Sequence, residues 1–396
     1  MDCDDGPGRR ARGARGTVGG RFLTRRRYLG SLGVATSLGL AGCTTLTGGG
    51  TTTEKPTLAD FRGSGPLVED RPRPGGTPMA DLPALSGELT VYLGGGEGGE
   101  YTELIELFER AYPDFDAHVR TDASSSLANT IIEETTGGGS PADVFFSVDA
   151  GSLGAVADAG ATTPLPQNVL EPVSSTFESP DGDWVGVAGR ARTIPYNTDT
   201  LSASDVPEHV RDVPSAPFAD SMGWAPTYGA FQSFVTAMRL LDGPERTKQW
   251  LTAMNDQGVE SYPNEFLVSN AVADGEIAAG FANHYYALRV KSSRPDAPIE
   301  LAFTKNDAGA LVNVAGAALV AGGQKQTLAA NFVRHLLSAE AQEFFATVTF
   351  GYPVIAGVAP VGGLPTIDDL DPPALDLTAL GDLQPTLDLM REVGVL

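Results

Sequence analysis

Cysteine and lysine are scarce in this chain. Of 396 residues only Cys3 and Cys43 carry thiols, and there are five lysines. Cys3 lies in a stretch expected to be removed on export and Cys43 is expected to carry lipid, so the mature chain has no thiol for a disulfide or a cysteine metal site. Positive charge is short as well: 27 Lys and Arg face 50 Asp and Glu, a formal charge of −23. A chain this acidic repels nucleic acid and anionic lipid. The sequence contains no Gly-x-Ser-x-Gly, no His-Glu-x-x-His and no cysteine nucleophile in the mature body, which argues against an enzyme. The glycine run from Gly94 to Gly99 lacks the Lys-Ser/Thr ending of a phosphate loop and the spacing of a dinucleotide fingerprint, and reads as a cleft-lining loop.

The N-terminal end has its own pattern. Thr24-Arg25-Arg26-Arg27-Tyr28-Leu29 reads as a twin-arginine export signal. The apolar run Gly30 to Leu40 behind it is too short to cross a bilayer as a permanent helix. Leu40-Ala41-Gly42-Cys43 resembles a lipobox, so residues 1–42 are expected to form a twin-arginine lipoprotein signal and Cys43 to be lipidated at the outer face of the cytoplasmic membrane. Residues 43–85 are rich in Thr, Gly, Pro and Asp with little periodicity, and are expected to be a flexible tether. Residues 1–42 hold eight Arg and three Asp, leaving 19 basic and 47 acidic residues, or −28, beyond them. Such acidity with little lysine looks like adaptation to high salt, where charge is heavily screened.

From Gly87 to Leu396 strands alternate with amphipathic helices, which predicts an α/β architecture of two lobes. Leu89 to Leu93 reads as a buried strand. It is followed by a helix with Leu104, Leu107, Phe108 and Ala111 on one face, ended by Pro113. A second helix is expected over 127–135 and a buried strand after Ser140-Pro141-Ala142-Asp143. Trp184 to Tyr196 reads as a long extended stretch carrying Arg190 and Arg192. A helix opens after Thr227-Tyr228, with Phe234, Met238 and Leu241 in register; 313–321 is another strand, and Ala329, Phe332, Val333 and Leu336 form a helical stripe. No internal repeat is visible.

Asn283-His284-Tyr285-Tyr286 carries the most chemistry. Adjacent side chains of an extended segment face opposite sides, so two phenols aimed at one site require the backbone to leave strand geometry there. The plain alternative is one core and one surface tyrosine. His284 is expected to point away from Tyr285, and His118, His209 and His335 have no metal-ligand spacing. Tyr92, Tyr196 and Tyr352 are expected to pack under or beside a cleft. Arg190 and Arg192, two apart in an extended segment, are expected on one face, where guanidinium groups grip a carbonate or carboxylate. The helix opening near Thr227 offers free N–H groups to an anion. A hinge salt bridge is the other role open to either arginine.

In order along the chain, the Leu89-Thr90-Val91-Tyr92 strand, Ser140-Pro141-Ala142-Asp143-Val144-Phe145-Phe146-Ser147, Gly189-Arg190-Ala191-Arg192-Thr193-Ile194-Pro195-Tyr196-Asn197-Thr198, Ala225-Pro226-Thr227-Tyr228-Gly229-Ala230-Phe231 and Asn283-His284-Tyr285-Tyr286 resemble the periplasmic ferric-iron-binding proteins of ABC importers. Asp307-Ala308-Gly309-Ala310-Leu311-Val312 and Gly351-Tyr352-Pro353 fit the same pattern. The resemblance covers nearly the whole body. It implies a type II periplasmic-binding-protein fold, two α/β lobes around a ligand cleft joined by a two-strand hinge. One lobe would hold 86–189 and 312–365, the other 190–311 and 366–396.

The resemblance further implies Fe³⁺ as transported ligand, held by Tyr285 and Tyr286 and, as in a subset of the family, Tyr228, with carbonate or another small anion at Arg190, Arg192 and Thr227. Ferric iron prefers anionic oxygen, and a phenol ionises at pH 7 only when the metal displaces its proton. Where some members carry a histidine, Gly96 stands here with Glu97 beside it; where some carry an acidic ligand, Val148 stands with Asp149 beside it. Glu97 and Asp149 are therefore candidate additional ligands. The implied partners are an ABC permease and its ATPase, with the binding protein a monomer. A same-fold carrier of an organic solute (a phosphonate, a thiamine-like cation or a polyamine) is the second candidate, and a surface receptor or metal-sensing domain the third.

Overall fold

The structure, a computed structural model, describes residues 55–95 and 100–396. The export signal, Cys3, the lipobox with Cys43, and Glu97 lie outside the described residues. From Lys55 to Leu85 the chain is packed on the body, where a flexible tether was expected. It opens with α1 (Leu58–Phe61), whose Phe61 is fully buried and meets the Phe108 ring at 6.3 Å. Val68, Met79 and Leu85 are buried too. These apolar residues fall among prolines and glycines without helical or strand period, so the pattern that marks packed elements is absent although the burial is not.

β1 (Gly87–Gly94) pairs in parallel with β2 (Phe115–Asp122) and β3 (Val144–Ser147). Parallel neighbours need crossovers, which α2 (Glu100–Ala111) and α3 (Ser124–Thr136) supply. Helix α2 buries Leu104, Leu107, Phe108 and Ala111 as its period predicts. Next come α4 (Ala150–Asp158), β4 (Thr162–Thr163) and α5 (Gln167–Leu170), then the long β5 (Val185–Asn197).

A second group of strands follows: β6 (Met222–Trp224), β7 (Glu260–Ser261), β8 (Ala279–Gly280), β9 (Ala282–Asn283) and β10 (Ile299–Ala302). Between them run α6 (Gly229–Asp242), α7 (Pro244–Asp256), α8 (Glu265–Asp274) and α9 (His284–Ser293). Phe234 and Met238 of α6 are buried, while Leu241, expected in the same stripe, is 36% exposed near the helix end. The chain returns as β11 (Val312–Val320), flanked by α10 (Gln326–Leu336) and α11 (Ala339–Thr347), and closes with α12 (Gln384–Glu392).

The sheet path is β2-β1-β3-β11-β5-β8-β6-β7, and β5 is the strand shared by both groups. Up to Ala191 it pairs antiparallel with β11; from Arg192 it pairs with β9, and further on with β8 and β10. The change of partner therefore falls between Arg190 and Arg192. The C-terminal segment, expected in one lobe, touches elements of both groups. Gly151 of α4 lies so close to Gly381 that an added Cβ would stand 2.7 Å from its nitrogen, while Thr386 of α12 shares a 2.9 Å hydroxyl hydrogen bond with Thr236 of α6.

Candidate functional site

The backbone leaves strand geometry where two adjacent phenols require it. Strand β9 ends at Asn283, whose extended backbone (φ −69°, ψ 144°) is the N-cap of α9, and Tyr285 and Tyr286 stand in the first helical turn. Their ring centroids are 4.4 Å apart, and both residues are buried. Tyr228 is the N-cap of α6, and its hydroxyl meets that of Tyr286, with the rings edge to face at 6.2 Å. Two helices thus begin at one cluster of three phenols. A helix N-terminus carries partial positive charge, which favours negative charge beside it.

His284 supports the cluster from outside it. The Ala191 N–H donates to Nδ1 at 3.2 Å, which leaves Nε2–H to donate to the Phe350 carbonyl at 2.7 Å. Burial pushes the imidazole down to about 4, so it is neutral and fully occupied by backbone. Phe350 sits in the left-handed region at φ 59°, an unusual conformation for an aromatic residue. Tyr352 packs against the His284 ring at 4.6 Å, and burial raises its phenol well above the ordinary range.

A cavity of about 480 Å³ opens beside Tyr285, lined also by Arg190, Arg289, Glu100, Thr102 and Val148. Of the three tyrosines, Tyr285 lines it; Tyr286 joins through ring contact with Tyr285, and Tyr228 through Tyr286. The Arg289 guanidinium carbon stands over both adjacent rings, 5.3 Å from Tyr285 and 5.8 Å from Tyr286, and its Nη2 donates to Glu100 at 2.8 Å. Neither Arg289 nor Glu100 was expected from sequence. Arg289 follows Tyr285 by four residues, a spacing that shares a face only once the segment is known to be helical.

Arg190 and Arg192 do not share a role. Arg190 lines the cavity, whereas Arg192 is 2% exposed, forms an ion pair with the fully buried Glu265, and lies 5.1 Å from the Phe234 ring centroid. Glu265 in turn accepts from the Asn283 N–H at 2.8 Å. The pair fixes the entry to α9, and Arg192 does not line the cavity. Asp149, a candidate ligand from sequence, instead caps α4: its Oδ1 accepts from Ser152 N at 2.7 Å and its Oδ2 from the Ser152 hydroxyl at 3.0 Å. Each oxygen of this carboxylate thus accepts one hydrogen bond from the helix it caps. Thr227 is exposed in the turn before Tyr228.

The donor set is therefore phenolic oxygen beside guanidinium, suited to a hard, highly charged cation with an anion. Among the described residues no group of three or more His, Cys, Asp or Glu is placed to hold a metal.

The family of bacterial extracellular solute-binding proteins matches residues 139–372. The major ferric iron-binding protein of Neisseria meningitidis serogroup B is 30% identical over 322 residues, covering 80% of this chain and 95% of the relative. The Fe(3+)-binding periplasmic protein of Serratia marcescens is 29% identical over 282 residues, 70% of this chain and 82% of its own length. Iron-bound HitA from Pseudomonas aeruginosa superposes with a TM-score of 0.69 at 30% identity, covering 78% of this chain and 99% of HitA. Trichodesmium FutA in complex with iron and citrate gives 0.67 at 25% identity, with 78% and 99% covered. These relatives are solute-binding proteins and not enzymes. The chain belongs to the bacterial extracellular solute-binding protein family, in the group of the ferric iron-binding proteins, and has their type II periplasmic-binding-protein fold.

Proposed function

We propose that this protein captures ferric iron from outside the cytoplasm and delivers it to an ABC permease with its ATPase. Tyr285, Tyr286 and Tyr228 bind the ion as phenolates, and Arg190 holds carbonate or another small anion that completes its coordination. The observation that carries this is the convergence of the three tyrosines at the starts of α6 and α9, beside a cavity lined by Arg190 and Arg289. Three phenolates balance a trivalent charge. The cavity is larger than an ion with carbonate fills, which leaves room for a bulkier carboxylate; citrate is the partner of iron in the Trichodesmium relative. The shared strand β5 supports two lobes hinged near Ala191, closing on the ligand. Export by the twin-arginine signal and a lipid at Cys43 would station a monomer at the membrane surface.

The test is the visible spectrum of the purified protein titrated with ferric citrate. Phenolate-to-iron charge transfer gives a coloured complex. A protein that stays colourless at saturating iron, yet shifts its melting temperature with a phosphonate, thiamine or polyamine, overturns the proposal in favour of an organic solute.

A further inference from the structure

The chain that leads into the body from its N-terminal side joins the apolar cluster that holds the tyrosines. Leu67 and Val68 pack in one apolar cluster with Tyr285, Tyr286, Leu288, Phe350 and Val361, and Val68 is 7% exposed. Nothing else in the segment 55–85 belongs to that cluster. The loop that presents these two residues is tied at both ends. Arg62 and Arg71 both donate from Nε to Oε1 of Glu343 in α11, at 2.7 and 3.0 Å, and the Glu343 side chain is 1% exposed. Arg62 also donates to the carbonyls of Arg71 (3.0 Å) and Pro72 (2.7 Å), which closes residues 62–72 into a ring. Asp70 takes a left-handed φ of 57° to make the turn back. Arg71 Nη1 donates to the Pro360 carbonyl at 3.0 Å, next to Val361 of the same apolar cluster.

Charged donors offset the burial of a carboxylate, and here both of the donors to Glu343 Oε1 come from the loop. The geometry is therefore that of a clasp: two arginines fix the loop on α11 of one strand group, and its tip shares an apolar cluster with the tyrosine helix α9 of the other. We infer that residues 62–72 are a positioning loop for the metal-binding tyrosines, with Leu67 and Val68 setting the Tyr285 and Tyr286 rings and Arg71 locking the loop in place. The inference rests on the ferric reading of the site. Groups that orient metal ligands without touching the metal matter because a trivalent ion tolerates little misplacement of its oxygens.

The test uses the protein with its full body and N-terminal segment, titrated with ferric iron against citrate as competitor, with the charge-transfer maximum and thermal midpoint recorded together. The double variant Leu67→Ala, Val68→Ala is expected to lose about tenfold or more in ferric affinity and to shift the band, a size typical of outer-shell partners of metal ligands. Val68→Ile, which keeps the apolar cover, is expected to retain both. Arg71→Gln leaves Glu343 paired with Arg62 and the tyrosines untouched, and should weaken binding several-fold at temperatures where the variant is fully folded, although its thermal midpoint falls. Wild-type affinity and an unmoved band in the double variant and in Arg71→Gln overturn the inference, as does a loss of binding that only tracks the unfolded fraction. A wild-type protein without any ferric band removes the ferric reading itself, which separates the two failures.

Discussion

The Tyr228 hydroxyl meets the Tyr286 hydroxyl at hydrogen-bonding distance, joining two residues 58 apart in sequence and two helix starts in space. Two phenolates this close repel one another, so without a cation a proton lies between them. In the proposed ferric complex a trivalent ion takes the place of that proton and gains two oxygens at once; Tyr285, on the same helix start as Tyr286, is in ring contact with it.

Replacing single phenols by Phe keeps the rings and removes the anionic oxygens. Tyr285→Phe and Tyr286→Phe are each expected to abolish most ferric binding, and Tyr228→Phe to weaken it or move the band. The folded state should lose only about 1 kcal/mol, the worth of a hydrogen bond. Titration followed by visible absorption checks the first expectation and urea denaturation the second; a double Tyr285→Phe, Tyr286→Phe protein with an unchanged band would make the tyrosines mere core residues.

The two arginines of β5 should separate cleanly. Arg190→Ala is expected to weaken ferric binding in a way that depends on added carbonate, with stability little changed. Arg192→Ala strands Glu265 in the interior and should cost roughly 3–5 kcal/mol of stability. Paired denaturation and iron-binding curves decide this, and equal effects of the two substitutions on stability would contradict the assignment.

Acid should destabilise the protein well before its carboxylates titrate. His335 is fully buried, its Nδ1–H donates to the Asn331 carbonyl at 2.7 Å, and its Nε2 accepts from the Tyr112 hydroxyl at 2.9 Å. Burial, with Arg334 nearby, lowers it from 6.5 to about 4. Between those values the unfolded chain takes up a proton that the folded one refuses, so stability is complete above 6.5 and falls as pH drops toward 4. The slope reaches about 1.4 kcal/mol per pH unit for one such group. Denaturation midpoints at pH 7, 6 and 5 measure it; buried His284, lowered to about 4 as well, adds a like slope, so His335→Gln should remove about half of the pH dependence.

Cys43→Ser should release the protein from the cell surface into the medium, since the apolar run before it is too short to hold the chain in a bilayer alone. Fractionation of cells producing the variant tests this; retention in the membrane fraction would rule out the lipid as the anchor.

The sequence alone determined the α/β alternation, the helical stripes of α2 and α10, the long extended β5 and the tyrosine pair, because each is a local pattern set by period, by turn residues or by a short motif. It could not tell Arg190 from Arg192, since alternation places both on one face while their environments depend on which strand lies alongside: β11 for the first, β9 for the second. Nor could it show that Asp149 caps a helix, that Arg289 stands over the tyrosine rings, or that the stretch around Phe61 and Val68 is packed. Those outcomes come from contacts between residues far apart in the chain, such as Arg71 with Glu343, 272 positions on. Burial and pairing of that kind are properties of the assembled structure, and no local pattern encodes them.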